Sequence, residues 1–279
     1  MVDPVERVRL RAREDGSEFE REDSLAVEEP LEIRLHAPGA PGNTRFVTTM
    51  RTPGHDEELV AGLLFAEGIL RKRADLLALE HLADPRVEAD LRANVLVAEL
   101  APAALARAEG LQRATIMGSA CGVCGRTEIG RVLPEGTPPI ESALRVGAEL
   151  LLALPERLRM RQSVFAATGG LHAAGLFDQR GALLELREDI GRHNAVDKLI
   201  GTYWLAGKLP LSSNLLLVSG RAGFELVQKA SFAGIPLMAS VSAPSSLAVE
   251  LAEAAGITLV GFLRERRFNV YTHAARVAG

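Results

Sequence analysis

The alternation of strand and helix patterns near the end of the chain is the feature that most limits its fold. Apolar runs and helical periodicity alternate as strand 214–218, helix 224–232, strand 235–241, helix 245–255 and strand 257–262. Helices of about ten residues between successive strands are typical of crossover connections, which place neighbouring strands parallel. The pattern therefore predicts an α/β unit with a parallel or mixed sheet and helices on both faces.

The N-terminal part of the chain has a different pattern, with several strand-like runs and one clear helix. Residues 8–13, 31–36 and 45–49 alternate in polarity, and further strand and helix patterns follow at 94–99 and 101–108. The clear helix is expected to be capped by Thr52, with Pro53 first in the helix and a buried stripe of Leu59, Val60, Leu63 and Leu64. We therefore predict an α+β protein of two domains, a smaller strand-rich one over 1–112 and the α/β one over 113–279.

The charge distribution limits the possible ligands. The chain has 36 acidic and 32 basic residues, a balance that argues against a generally basic surface that binds nucleic acid. Residues 262–279 nevertheless carry four arginines against one glutamate, which suits a small anionic ligand. The uncharged run 230–249 is as long as a membrane span, but its two prolines and five serines favour a helix end, a buried strand and a turn.

The two cysteines of the chain, Cys121 and Cys124, stand three positions apart between glycines. A disulfide between two cysteines this close in sequence would not stabilise a large fold, and the N-terminus lacks the apolar stretch of a secretory signal. We therefore expect functional thiols in a reducing, cytoplasmic setting. A thiolate can attack sulfur, bind metal or carry a persulfide. A mixed zinc site with His172 or His193 and an inert buried pair are the alternatives.

Two histidines are candidates for proton handling. If Asp189 starts a helix, then Asp189, His193 and Asp197 stack at a spacing of four, and the carboxylates favour the protonated imidazole. This predicts His193 as a proton donor, and a solvated charged stripe is the alternative. His172 follows a glycine turn and begins an apolar stretch, so the alternative to a functional role is a buried histidine that is hydrogen-bonded to the backbone.

Two segments are candidates for binding an anionic ligand. Residues 219–223 lie between a strand and a helix, where free N–H groups bind anions, although the sequence is not a Walker loop. Residues 261–269 place Arg264, Arg266 and Arg267 just beyond a strand, between two phenylalanines that can flank a base. Ligands of open α/β sheets gather at the carboxyl ends of strands, and arginine matches phosphate oxygens. A solvated run of charges is the alternative.

Taken together and in this order, the motifs resemble the FdhD family, the formate dehydrogenase accessory sulfurtransferases. The resemblance rests on residues 51–56, 67–69, 118–125, 168–172, 189–197, 219–221, 243–246 and 261–271. It implies a cytidine-deaminase-like main domain, a smaller N-terminal domain and a homodimer. It also implies transfer of sulfur from a cysteine desulfurase to the molybdenum cofactor with two molybdopterin guanine dinucleotides, as needed by formate dehydrogenase.

The resemblance also assigns roles to residues. It places the persulfide on Cys121, with Cys124 as its partner, and the cofactor on the segment Phe262, Leu263, Arg264, Glu265, Arg266 and Arg267. Within this segment Glu265 adds a negative charge, which is unfavourable beside phosphates. We expect GDP to mimic the bound cofactor and its pyrophosphate to reach Ser219, Gly220 and Arg221.

Deaminase chemistry itself is not expected. A zinc deaminase needs a His-x-Glu followed later by Pro-Cys-x-x-Cys, with the glutamate moving protons. Here Ala174 stands in the place of that glutamate, and the cysteine pair precedes His172.

Three hypotheses therefore remain. The first is a persulfide-relay sulfurtransferase, and the second is a non-catalytic carrier of the pterin guanine dinucleotide cofactor. Both require the arginine segment, but only the relay requires Cys121. The third is a zinc-bound structural module, which predicts near-stoichiometric metal in the purified protein.

Overall fold

The computed structural model describes residues 3–40, 42–83, 87–88, 92–114, 139–264 and 266–278, so Cys121, Cys124 and Glu265 lie outside the described residues. The strands are β1 (Val5–Glu14), β2 (Ser17–Ala26), β3 (Glu29–His36), β4 (Asn43–Arg51), β5 (Leu76–His81), β6 (Val95–Leu100), β7 (Val146–Gly147), β8 (His172–Phe177), β9 (Leu183–Asp189), β10 (Leu215–Val218), β11 (Leu237–Ser240), β12 (Thr258–Arg264), β13 (Arg267–Val270) and β14 (Val277–Ala278). The helices are α1 (Asp56–Ala66), α2 (Pro102–Ala114), α3 (Ala148–Arg159), α4 (Ser163–Thr168), α5 (Arg192–Leu205), α6 (Phe224–Phe232) and α7 (Ser246–Ala255).

The C-terminal part is built on a six-stranded mixed sheet with the order β13-β12-β11-β10-β8-β9. Strands β10, β11 and β12 are parallel, and the others pair antiparallel. Successive residues of a strand point to opposite faces. Leu216 and Val218 accordingly pack with helices α5, α6 and α7, whereas Leu215 and Leu217 pack with α3 on the other face. This confirms the predicted mixed sheet with helices on both faces.

The N-terminal part contains a four-stranded sheet with the order β4-β3-β6-β5, in which β3 and β6 are parallel. Alternate residues of β3, Leu31 and Ile33, are fully buried against α1, which contributes Leu59 and Leu64. Trp204 from α5 belongs to the same core cluster. The N-terminal core is therefore completed by a helix of the C-terminal sheet.

Two glycines allow the backbones of α1 and α5 to approach each other closely. A Cβ at Gly62 would lie 1.9 Å from the carbonyl oxygen of Asp197, and a Cβ at Gly201 would lie 1.8 Å from the carbonyl oxygen of Glu58. Any side chain at either position would force the helices apart. The glycine pair thus fixes the distance between the two parts of the molecule.

A long hairpin, β1–β2, precedes the N-terminal sheet. On one of its faces arginines stand opposite glutamates, with Arg9 across from Glu22 and Arg11 across from Glu20. Such cross-strand pairs of opposite charge stabilise an exposed hairpin. The hairpin packs against α4, and a Cβ at Gly170 would lie 3.5 Å from the Cβ of Ala26.

Two local predictions had different outcomes. The uncharged run 230–249 comprises the end of α6, strand β11 and the start of α7, as predicted. In the described ranges no helix is long and apolar enough to cross a bilayer. The predicted cap at Thr52 is wrong, because α1 begins at Asp56 with His55 at its N-cap position.

Candidate functional site: an arginine-lined cleft beside a buried interface network

Thr52 does not cap a helix because its polar groups bind residues across the interface between the two parts of the molecule. Its N–H donates to Asp189 Oδ2 at 3.2 Å, and its hydroxyl accepts from the N–H of Ile190 at 3.2 Å. Its carbonyl oxygen accepts from Lys198 Nζ at 2.8 Å. The N–H, the hydroxyl oxygen and the carbonyl oxygen of Thr52 are therefore bonded to the end of β9, the β9–α5 connection and α5.

Asp189 is the centre of this interface network, which comprises Thr52, Asp189, Asn194 and Lys198. Its carboxylate is fully buried, 2.7 Å from Lys198 Nζ, and it also accepts from Asn194 Nδ2 at 3.0 Å. Asn194 in turn donates to the carbonyl oxygen of Met50 at 2.7 Å. The network joins β4 to α5 and leaves no group of Asp189 for catalysis.

The expected stack of Asp189, His193 and Asp197 is wrong. Asp189 ends β9, and α5 begins only at Arg192, because the buried carboxylate is held by the interface network. Asp197 accepts a hydrogen bond of 2.6 Å from Lys229. The carboxylate beside His193 is instead that of Glu225, whose Oε2 lies 2.5 Å from His193 Nε2.

Glu225 is thus a partner of His193 that the sequence reasoning missed, and neither residue is among the described residues that line the cleft. Burial opposes ionisation of the Glu225 carboxyl, but the close contact with His193 and the charges of His193, Arg192 and Lys229 outweigh it and lower the pKa of Glu225. An ionised carboxylate against an imidazole can take up or stabilise a proton. The only sequence signal for it was its position in the first turn of the helix after residues 219–223.

A cleft of about 780 Å³ opens at the carboxyl edge of the six-stranded sheet. Ser219 follows β10, Val241 follows β11, Leu263 lies near the end of β12, and His172 begins the antiparallel β8. Its size suits a ligand of nucleotide dimensions. Its place is the one predicted for ligands of open α/β sheets.

Four arginines line the cleft: Arg159, Arg264, Arg266 and Arg267. All four are exposed, and none has a salt bridge or a side-chain hydrogen bond to another residue in the part of the chain that the structure describes. Glu156 is the one carboxylate among the described lining residues. The cleft therefore attracts anions, because no described residue neutralises its positive charges.

His172 and Ser219 form the floor of this cleft at the sheet edge. The hydroxyl oxygen of Ser219 accepts from the N–H of Ala173 at 2.9 Å, which fixes residues 219–223 against β8. Burial, reinforced by the positive charges of Arg192 and His193, lowers the pKa of His172. His172 is therefore neutral at neutral pH, and a nearby anion would favour its protonation.

The helical wall of the cleft, defined as Glu156, Arg159, Gln162 and Phe165, was missed by the sequence analysis. Arg159 lies 5.8 Å from the centre of the Phe165 ring, within the range of a cation–π contact. Gln162 is only 6% exposed although it lines the cleft. These residues lie on and just after α3 and in α4, where no sequence pattern had indicated a ligand.

The segment predicted to bind the cofactor is split by a bulge in β12. Phe262 has a φ of 53°, which is uncommon for a bulky residue, and the register with β13 shifts between Gly261 and Arg264. Leu263 is consequently fully buried while still lining the cleft, and Arg264 reaches its rim. Phe262 is not among the described residues that line the cleft.

The remaining predicted positions are placed as follows. Of residues 219–221, Ser219 lines the cleft, whereas Gly220 and Arg221 are not part of the described lining. A Cβ at Gly220 would nevertheless lie 3.3 Å from His172 Nδ1. Cys121, Cys124 and Glu265 fall outside the described residues, so their roles stay predictions.

The comparisons with known proteins assign the chain to a class. A sequence profile of the FdhD/NarQ family matches residues 26–278. This covers most of the chain, and the protein therefore belongs to the FdhD/NarQ family.

Similar proteins come from distant organisms. The chain is 48% identical over 277 residues to a protein of Streptomyces avermitilis named sulfur carrier protein FdhD, covering 97% of this chain and 94% of that protein. Relatives of the same name share 50% identity over 267 residues in Mycobacterium tuberculosis, with 92% of each chain covered, and 40% over 274 residues in Saccharolobus solfataricus, with 98% of each covered.

A solved structure supports the fold. The crystal structure of a candidate formate dehydrogenase accessory protein from Desulfotalea psychrophila superimposes with a TM-score of 0.72 at 23% identity. The match covers 99% of this chain and all of that one. The α+β architecture is thus shared at low sequence identity.

Proposed function

We propose that this protein is a sulfurtransferase that relays sulfur, as a cysteine persulfide, from a cysteine desulfurase to the molybdenum bis(molybdopterin guanine dinucleotide) cofactor used by formate dehydrogenase. The observation that supports it best is the cleft lined by four arginines that form no ion pair with a described residue, in a chain of the FdhD/NarQ family. In this proposal the cofactor is the substrate, and its anionic dinucleotide arms are bound in the cleft.

The sulfur chemistry is assigned to Cys121. Its thiolate attacks the terminal sulfur of the desulfurase persulfide, so that the Cys121 persulfide forms and the desulfurase thiolate leaves. Release of that sulfur as sulfide requires two electrons. The thiolate of Cys124 supplies them by forming the Cys121–Cys124 disulfide, and a thiol reductant then restores the pair. The terminal sulfur leaves toward the cofactor metal.

His193 is the proposed proton-handling residue, with Glu225 as the carboxylate that holds its ring. The 2.5 Å contact between the two supports this assignment. An imidazole held by a carboxylate can transfer a proton to or from a neighbouring sulfur group.

The partners and setting follow the same proposal. The sulfur donor is a cysteine desulfurase, the acceptor of the matured cofactor is the formate dehydrogenase apoprotein, and a reducing cytoplasm keeps both thiols reduced. We also expect a homodimer, which light scattering on the full chain tests.

The decisive experiment is intact mass spectrometry after incubation with a cysteine desulfurase and cysteine. We expect the wild-type chain to gain one sulfur atom that cyanide or dithiothreitol removes, and Cys121→Ala to gain none while keeping its fold. Cys124→Ala should still be loaded but should release sulfide slowly.

Three outcomes would contradict the relay. A persulfide on the Cys121→Ala variant would show that a residue other than Cys121 carries the sulfur. Nucleotide binding with no sulfur gain in the wild type would favour the non-catalytic carrier. Near-stoichiometric zinc in the purified protein, lost in Cys121→Ala, would favour the structural module.

A further inference from the structure

The helical wall carries two features that an anion-binding cleft does not explain. Glu156 places a negative charge among four arginines, where it opposes phosphate binding. It forms no ion pair with Arg159, one helical turn later, or with any other described residue. A carboxylate left free in such a place is suited to a ligand group that donates hydrogen bonds.

Gln162 is the second feature. The residue is 94% buried, yet its side-chain amide has no hydrogen bond to another described residue, and it faces the cleft. Its amide is therefore suited to pair with a ligand that presents both donors and acceptors.

The wall is rigid enough to recognise a flat group. Both carboxylate oxygens of Glu188 accept from the first N–H groups of α4, those of Val164 at 3.1 Å and Phe165 at 2.8 Å. The guanidinium of Arg159 lies over the ring of Phe165. An aromatic ring and a guanidinium plane held in this way can stack with a nucleobase.

We propose that the helical wall is the nucleobase subsite of the cleft and that it selects guanine through Glu156 and Gln162. This rests on the proposed function, since it assumes that a nucleotide arm occupies the cleft. The guanine edge presents N1–H and the N2 amino group, which donate to the Glu156 carboxylate, and O6, which accepts from the Gln162 amide.

Adenine has the opposite pattern at this edge. Its N1 is an acceptor and would face the carboxylate of Glu156 without a proton between them. The Gln162 amide can turn to accept from the adenine N6 group, but a carboxylate cannot become a donor without protonation. Glu156 is therefore the specificity residue, and Gln162 supports either purine.

Isothermal titration of the full chain with GDP, IDP, ADP and inorganic pyrophosphate tests the proposal. The wild type should bind GDP at least tenfold more tightly than ADP, and IDP, which lacks the N2 amino group, should fall between them. In Glu156→Gln the GDP and ADP affinities should converge, with pyrophosphate bound as well as before or better. Gln162→Leu should weaken GDP and IDP to a similar extent and leave pyrophosphate unchanged.

The control is Glu149→Gln, an exposed glutamate in the first turn of the same helix that does not line the cleft. It removes the same charge and should leave the ratio of GDP to ADP affinity unchanged. An unchanged ratio in Glu156→Gln would overturn the base subsite alone, provided that GDP binding still requires the arginines. A wild type that binds neither pyrophosphate nor any nucleotide would overturn the proposed function together with it.

Discussion

The interface network and the arginine-lined cleft are both built from polar residues, but they differ in how those residues are satisfied. In the interface network, the carboxylate of Asp189 and the ammonium of Lys198 are buried and bonded to each other and to Thr52. In the cleft, four guanidinium groups and the amide of Gln162 have no hydrogen-bonding partner in the described part of the chain.

This difference separates structural from ligand-binding roles. A buried charge with all its partners inside the protein holds two elements in place, and removing one partner leaves the other unpaired. A charge without partners in a cleft is free to bind something from solution. The motif around Asp189 is therefore assigned to architecture and the cleft to ligand binding.

The largest expected effect is on the interface network. Lys198→Met leaves the Asp189 carboxylate buried without its countercharge, so we expect the free energy of unfolding to fall by about 3–5 kcal/mol. Urea denaturation followed by circular dichroism measures it. Lys208→Met, at an exposed lysine just beyond α5, is the control and should be within about 0.5 kcal/mol of wild type. Equal stability of the two variants would contradict the structural role of the network.

The arginines of the cleft should show the reverse behaviour. Arg264→Ala and Arg267→Ala should each weaken GDP binding by about 1.5–3 kcal/mol, tenfold or more, because a charge-assisted contact to phosphate is lost. The unfolding free energy should hardly change, since neither side chain has a partner in the described structure.

Arg180→Ala is the matched control for these variants, because it removes an exposed arginine from the β8–β9 turn, at the other end of the sheet. GDP affinity that falls equally in Arg180→Ala would mean that only the net charge matters. Added salt should weaken binding in the wild type more than in Arg267→Ala.

The smallest effect concerns His172 and pH. Its pKa in the free protein is lowered by burial, and a bound phosphate should raise it, so binding takes up a proton. Affinity for GDP should therefore increase by a few-fold as pH falls through the interval between the higher pKa in the complex and the lower one in the free protein. Titrations from about pH 7.5 to about pH 5.5, where histidines commonly change charge, measure this increase.

Two variants complete the pH experiment. The phosphate of GDP titrates near pH 6 as well, at about the pKa of other phosphate monoesters, so the difference between proteins is the measured quantity. His172→Gln should show a smaller rise in GDP affinity at low pH than the wild type. His81→Gln, at an exposed histidine of β5, should show the same rise as the wild type. Identical pH profiles for both variants would show that protonation of His172 does not contribute to GDP binding.

The sequence predicted the parts of the fold that depend on local pattern. Strands β10, β11 and β12 are short, largely buried runs between helices with a clear periodicity, so a parallel or mixed sheet with a ligand site at its carboxyl edge could be predicted. The helical wall could not, because Pro155 interrupts the pattern of α3 and α4 has only six residues.

The site residues that were missed depend on tertiary contacts. Thr52 is of a residue type that often caps helices, but its N–H and carbonyl oxygen instead form hydrogen bonds with Asp189 and Lys198, which are distant in the sequence. Glu225 meets His193 only because α6 packs beside α5. Contacts of this kind arise from the packing of helices and leave no spacing signal in the sequence.

The β1–β2 hairpin supports one wall of the cleft from outside the cleft itself. It lies almost entirely before residue 26, where the family match begins, yet it supports α4, the helix that carries Phe165. Substitutions at the hairpin's exposed positions can change how firmly that helix is held while the arginines stay untouched. A change in this arm can therefore alter the support of the helical wall without altering any described residue that lines the cleft.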